Sequence, residues 1–298
     1  MGAEKETLDA AAMGLLVVLC ASWGLQQVAV KVTNPVVPPL VQAAVRSAGA
    51  TMLIWLWMAF RRQPLFARDG TLWWGLAAGA LFAGEFLLIY WGLEFTSASR
   101  AVVFLYMSPF VVALGVRLFV PGERLRRAQV AGLCCAFAGI LAAFGESFGL
   151  PTRRMLVGDA MLAGAAVLWG ATTVLIKAGP LSQIAAAKTL LYQLFVSALI
   201  LPLGAYLKGE RVVAEMTPLV AGSLLYQTVW VAFITYLAWF WLLRRYPPSR
   251  LASFTFLTPL FGVLAGGLLL EEPITGVLAS ALVMVAGGIY LVNRRFAA

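Results

Sequence analysis

Glu85 is the one carboxylate set well inside an apolar run of this 298-residue chain. A charge in such surroundings is costly enough to require a partner or a use. A carboxylate there can hold an ammonium group or a proton. Arg46 and Lys188 are the two cations inside apolar runs. Trp23, Gln26 and Gln27 stand together in the first run, and Trp169, Thr172 and Thr173 in the sixth. Each cluster offers a ring face beside amides or hydroxyls, which bind ammonium and carboxylate groups without a fixed charge. Tyr90, Tyr106, Tyr226, Trp230 and Trp239 add further aromatic faces with polar tips. The chain has no histidine, which removes the commonest catalytic base and metal ligand. Cys20, Cys134 and Cys135 lack ligand-like spacing and read as small buried side chains outside any disulfide. No catalytic residue, metal site or cofactor site is read here; the available chemistry is reversible binding.

Those residues need helices that cross a bilayer. Hydrophobic residues make up 62% of the chain and charged ones only 12%, where a soluble domain carries about a quarter. Ten apolar runs cover 11–31, 38–60, 71–93, 98–119, 127–146, 156–177, 182–206, 217–243, 251–270 and 274–293, each near the roughly 20 residues a span requires. Proline or glycine punctuates the gaps between the runs, as at Asn34-Pro35, Pro121-Gly122 and Gly179-Pro180. The first run is preceded by one Lys and three acids and is followed by no cleavage signature, so it reads as a helix and not a leader. The net charge of +9 sits in short clusters between runs, a loop bias and not a nucleic-acid surface. Placing the N-terminus inside puts 14 Lys and Arg in cytoplasmic loops against 6 opposite. Both termini are expected in the cytoplasm, which an even number of spans allows.

Helix geometry then sets depths. At 1.5 Å per residue, Arg46 lies about 12 Å and Glu85 about 10 Å below the same face, so an ion pair between them is geometrically open. Lys188 lies about 9 Å into its helix and is expected to snorkel to the cytoplasmic surface. Pro109 and Pro259 sit inside the fourth and ninth spans, where each removes a backbone donor and marks a hinge or gate. Gly24, Gly84, Gly139, Gly170, Gly266, Gly267, Gly287 and Gly288 are expected to allow close helix approach.

The two halves echo one another. Trp23-Gly24 and Lys31 return as Trp169-Gly170 and Lys177 at an offset of 146. Arg46 aligns with Lys188 at 142, while Trp91, Arg100 and Pro109 align with Trp241, Arg250 and Pro259 at 150. Glu123 and Gly139 align with Glu272 and Gly288 at 149. The expected fold is all-α, with a first five-helix repeat over 1–148 and a second over 149–298. Five is odd, so the second repeat must enter from the opposite side. Such inverted repeats underlie alternating access around a midplane site.

The motifs Ala21-Ser22-Trp23-Gly24, Ser97-Ala98-Ser99-Arg100, Leu105-Tyr106-Met107-Ser108-Pro109 and Gly122-Glu123-Arg124-Leu125 resemble the drug/metabolite transporter superfamily, specifically its EamA-type ten-helix members. Leu257-Thr258-Pro259 and Leu270-Glu271-Glu272-Pro273-Ile274 are the second-half echoes. The aromatic richness is similar to the YddG-type aromatic amino-acid exporters. The resemblance implies a secondary transporter in a bacterial cytoplasmic (inner) membrane, monomeric among lipids, without a cofactor or nucleic-acid partner. It would export aromatic and other neutral amino acids. The residues expected to bind substrate are Trp23, Gln26, Gln27, Glu85, Tyr90, Tyr106, Trp169, Thr172, Tyr226 and Trp230. A nucleotide-sugar or other anionic carrier would need more intramembrane cations than Arg46 and Lys188. A membrane-embedded lipid-modifying enzyme would need a polar catalytic cluster that this chain lacks.

Overall fold

The computed structural model describes residues 7–64, 69–123, 125–145, 150–212, 216–272 and 274–294. Lys5, Arg68, Arg124 and Arg295 of the loop count, Pro273 and the 148/149 boundary lie outside the described residues. Among those described, all regular structure is helical. The spans are α1 (Ala10–Thr33), α2 (Pro39–Phe60), α3 (Leu72–Gly92), α4 (Ala98–Phe119), α5 (Arg127–Phe144), α6 (Arg153–Ala178), α7 (Ala186–Lys208), α8 (Pro218–Leu243), α9 (Pro248–Leu270) and α10 (Val277–Asn293). The first nine have the length and apolarity to cross a membrane, and α10, with 17 residues, sits at the short end of the workable range.

Local chemistry fixes where the spans begin. Asp9, Ser97, Thr152 and Thr217 each accept a hydrogen bond from a first-turn backbone N–H. Proline opens α2, α8 and α9, where its missing donor costs nothing. Gly209 closes α7 in the left-handed conformation with φ of 74°. The outer faces stay apolar and exposed, as at Phe60, Leu268 and Val283, which is how a lipid-facing surface is built.

The helices interlock across the two halves. α5 packs along α10, α2 along α7, α1 on the second part of α9, and α6 on α4. α3 lies against α6 and α7, while α8 lies against α1 and α2. Exchanging each helix for the one five places away reproduces the same set of neighbours. The symmetry extends to single residues. A Cβ on Gly24 would come within 2.7 Å of the Gly262 nitrogen, and a Cβ on Gly170 within 3.3 Å of the Val112 nitrogen. Gly262 and Val112 stand 150 residues apart, so these two close approaches are repeat equivalents. On α5 and α10, a Cβ on Gly132 would come within 2.6 Å of the Gly288 carbonyl oxygen and one on Gly139 within 2.9 Å of the Ala281 carbonyl oxygen, again an exchanged pair.

The expected kinks at Pro109 and Pro259 are complete breaks. α4 divides into Ala98–Leu105 and Ser108–Phe119, and α9 into Pro248–Phe254 and Leu257–Leu270. Each proline lies in the first turn of its second segment, the position where a helix tolerates it best. Tight turns bridge the gaps, through Met107 N–H to the Phe104 carbonyl and Thr255 N–H to the Ala252 carbonyl. α8 carries a departure the repeat does not share: Tyr226–Thr235 is π-helical, whereas its counterpart in α3 is regular. Cys20 is buried as expected, but Cys134 is exposed on the outer face of α5, where a small apolar side chain meets lipid as readily as protein.

Gly288→Val would drive a side chain into the Ala136 backbone and the Gly132 carbonyl. Overpacking of this kind costs about 1–3 kcal/mol, so its thermal-unfolding midpoint in detergent should fall clearly below wild type. A Cβ at Gly287 meets nothing within 4 Å, so Gly287→Ala should leave the midpoint unchanged.

Candidate functional site

A cavity of about 600 Å³ lies between the two halves. α1 contributes Trp23, Gln26 and Gln27; α3 contributes Phe82, Glu85, Phe86 and Tyr90. Tyr106 enters from the break in α4, and Trp169 with Thr172 and Thr173 from α6. Gln193, Tyr236, Trp239 and Thr258 complete the wall from α7, α8 and α9. The rings are held edge-on. Trp23 packs against Trp239 at 5.5 Å and Tyr236 at 6.3 Å, and its indole N–H donates to Thr235 Oγ1 at 2.9 Å. Trp169 meets Tyr106 edge-on at 6.0 Å. Edge-to-face contacts of this kind fix ring orientation while leaving faces free toward the lumen.

The cavity reaches the surface at one end only. Its mouth is where α1, α3 and α9 finish and α4 begins, with Leu93 and Ala98 exposed on the rim. There Lys31 and Glu272 form an ion pair on the wall. The opposite end is shut. Tyr246 donates its hydroxyl proton to Asp9 Oδ2 at 2.9 Å, and Lys177 donates to the Leu243 carbonyl at 3.3 Å. Lys188 pairs with Asp69 at 2.6 Å, and Leu8, Leu181 and Leu251 are buried among them. Lys188 does not snorkel to the surface as expected: it is buried and pairs with an acid of the α2–α3 loop. Lys188 and Thr71 beside Asp69 hold its carboxyl down to about 2.

Eight of the ten residues singled out for binding line this one cavity: Trp23, Gln26, Gln27, Glu85, Tyr90, Tyr106, Trp169 and Thr172. Tyr226 and Trp230 lie elsewhere, on the seam between α8 and α1. Tyr226 donates to the Ser22 carbonyl at 2.8 Å and Trp230 to Ser22 Oγ at 2.9 Å. The π-helical turns of α8 carry both rings to that seam. Pro259 lines the cavity, whereas Pro109 is buried beside it. Sequence reading passed over Phe82 and Phe86, although their four-residue spacing with Tyr90 marks one face of α3. It also passed over a buried ion pair between Arg100 and Asp159, to which Thr96 Oγ1 adds a hydrogen bond at 2.7 Å. Arg46 and Glu85 lie near one another but make no direct ion pair within 4.0 Å; the guanidinium rests over the Phe86 ring at 4.4 Å. Among the described residues no cluster of His, Cys, Asp and Glu could hold a metal.

Two stretches, residues 10–145 and 156–294, match the model of the EamA-like transporter family. The chain belongs to that family. It is 30% identical over 289 residues to a protein of Escherichia coli named "Probable amino-acid metabolite efflux pump", covering 94% of this chain and 93% of that one. A protein of the same name in Salmonella typhimurium is 27% identical, with the same coverage. An uncharacterized transporter of Bacillus subtilis, YoaV, is 24% identical over 90% of this chain and 92% of its own. A crystal structure of another protein matches with a TM-score of 0.82 at 19% identity, over 95% of this chain and 96% of that one, and shows the fold alone. This protein is therefore a multi-pass membrane transporter of the drug/metabolite superfamily and not an enzyme. Its partners are a small-molecule substrate and membrane lipids.

Asp69→Asn removes the acid that holds Lys188 at the closed end. Because the Asp69 carboxyl titrates below its ordinary range near 4, the pair stabilises the fold above that range, and its contribution fades as pH falls from there toward 2. The variant should unfold at a lower temperature than wild type throughout pH 5–8, and the gap should shrink at pH 3. Thermal melts followed by intrinsic tryptophan fluorescence at both pH values measure it.

Proposed function

We propose that this transporter exports aromatic and other neutral amino acids, as the YddG-type exporters it resembles would, and that it does so by alternating access. The observation that carries this reading is the cavity itself: about 600 Å³, walled by indole and phenol rings, with amides, hydroxyls and one mid-depth carboxylate among them. Pockets of this volume suit small metabolites. The rings offer stacking faces to an aromatic side chain, and Gln26, Gln27, Thr172 and Glu85 offer partners to a zwitterionic head. The names of the enteric relatives support the same class of cargo.

The substrate-binding set is Trp23, Gln26, Gln27, Glu85, Tyr90, Tyr106, Trp169 and Thr172. Residues 1–148 and 149–298 act as the two moving repeats, with the breaks at Pro109 and Pro259 as hinges. The excess of Lys and Arg in one set of loops supports both termini in the cytoplasm of a bacterial inner membrane. In that orientation the cavity opens outward and the Lys188–Asp69 end closes the cytoplasmic side. The protein works as a monomer. A carrier of multiply anionic nucleotide sugars would want several cations in the wall. Lys31 is the one cation that lines the cavity among the described residues, and it is already paired with Glu272.

Proteoliposomes loaded with labelled phenylalanine or tryptophan should release label in a protein-dependent manner. Trp169→Ala should slow the release at least about tenfold, from lost stacking area. Repeating the assay across an imposed pH gradient separates proton antiport from facilitated flux. Absence of flux for every aromatic amino acid would contradict the substrate reading and leave the transporter class intact.

A further inference from the structure

Among the described residues the buried cations are satisfied, with one exception. Arg100 has Asp159, Lys188 has Asp69, and Lys177 donates to the Leu243 carbonyl. Arg46 is 1% exposed, and neither Nη1 nor Nη2 makes a hydrogen bond. Its repeat counterpart is Lys188, so the departure belongs to this half alone. The guanidinium lies on the face of Phe86, which offers attraction but no acceptor for five N–H donors. An unmatched guanidinium at this depth is expensive and marks a functional position.

Its surroundings face the cavity. Arg46 acts electrostatically on Glu85, Tyr90 and Tyr236, all three of which line the lumen. Glu85 presents a carboxyl group on the cavity wall and makes no ion pair within 4.0 Å. Phe86 lines the same wall, stacked on Tyr90 at 6.0 Å and edge-on to Phe82 at 5.1 Å. Its ring carries the guanidinium and also lines the lumen. For Arg46 to meet a ligand in the cavity, that ring must turn aside.

We propose that Arg46 and Glu85 together form the head-group site for a free α-amino acid, Arg46 taking the α-carboxylate through its fork of N–H donors and Glu85 taking the α-ammonium. This rests on the amino-acid reading above and narrows it to substrates that carry both charges. A guanidinium binds a carboxylate with two parallel hydrogen bonds, a geometry that an ammonium such as Lys does not reproduce. With the Glu85 carboxyl ionised in the complex the dyad is neutral overall, as the zwitterion is, so binding cancels both local charges and adds no net charge to the membrane interior. An aromatic amine leaves Arg46 unmatched, and an N-acylated amino acid leaves Glu85 unmatched. A site built on hydrogen bonds rejects analogues that leave its buried groups empty.

The test measures binding of tryptophan, tryptamine and N-acetyltryptophan to the purified full-length protein, by displacement of tritiated tryptophan or directly by calorimetry. Wild type should prefer tryptophan over both analogues by at least about tenfold. Arg46→Gln should bring tryptophan and tryptamine to within about twofold of each other, and Glu85→Gln should do the same for tryptophan and N-acetyltryptophan. Arg46→Lys keeps the charge without the fork and should show an intermediate preference, which supplies the comparison if Arg46→Gln does not fold. Variants that keep the wild-type preferences would overturn the dyad, and so would a wild type that binds all three ligands alike, while the amino-acid reading stands. A wild type that binds none of the three overturns both.

Discussion

Two backbone contacts set where the cavity can be. α1 meets α9 at Gly24 and Gly262, and α6 meets α4 at Gly170 and Val112, each too close for a larger side chain on the glycine. Helices gain no hydrophobic drive by leaving lipid for one another, so close van der Waals packing must hold them. α5 is clasped to α10 in the same manner, and α2 packs along α7, which commits those helices between the halves. What stays uncommitted is the space that α1, α3, α4, α6, α8 and α9 enclose. The breaks in α4 and α9 fall beside that space, where backbone groups freed from a helix find partners in tight turns and not in lipid.

Charge is placed with the same economy. Arg100 and Asp159 neutralise each other on buried faces of α4 and α6 near the mouth. Lys188 reaches the α2–α3 loop, and Tyr246 with Asp9 ties the N-terminal end of α1 to the α8–α9 corner. Glu85 stands apart as a carboxylate left on the wall of the lumen. Some polar groups facing the lumen keep bonding capacity in reserve for cargo. Gln193 illustrates this: buried on α7 and lining the cavity, it leaves both side-chain polar atoms without a hydrogen bond.

Much of this was legible in the chain because the bilayer simplifies the code. Span length and loop punctuation located the helices to within a few residues, and motif echoes at offsets near 150 exposed the repeat. The clusters around Trp23 and Trp169 could be assigned to one site because they are repeat equivalents on helices that must face one another. Other features left no sequence signal. The π-helical stretch of α8 contains no glycine or proline to announce it, and it moves Tyr226 and Trp230 to the α1 seam. Asp159 sits three residues into an apolar run and looks like a helix end, yet Arg100 from another helix buries it. Arg46 and Glu85 have matching depths, but depth along a helix does not fix rotation about it, so Phe86 and not Glu85 receives the guanidinium.

The central claim is that the two halves exchange roles, one end opening as the other shuts. Paired spin labels read it most directly, in a background with Cys20, Cys134 and Cys135 replaced. One pair, at Glu94 and Leu269, spans the mouth; its repeat equivalent, at Arg244 and Phe119, spans the closed end. Electron–electron distances would be measured in nanodiscs with and without tryptophan. The account predicts opposite changes on ligand addition, the mouth pair shortening in a fraction of molecules while the other pair lengthens in the same fraction. Distances that change in the same sense at both ends, or at neither, would contradict it.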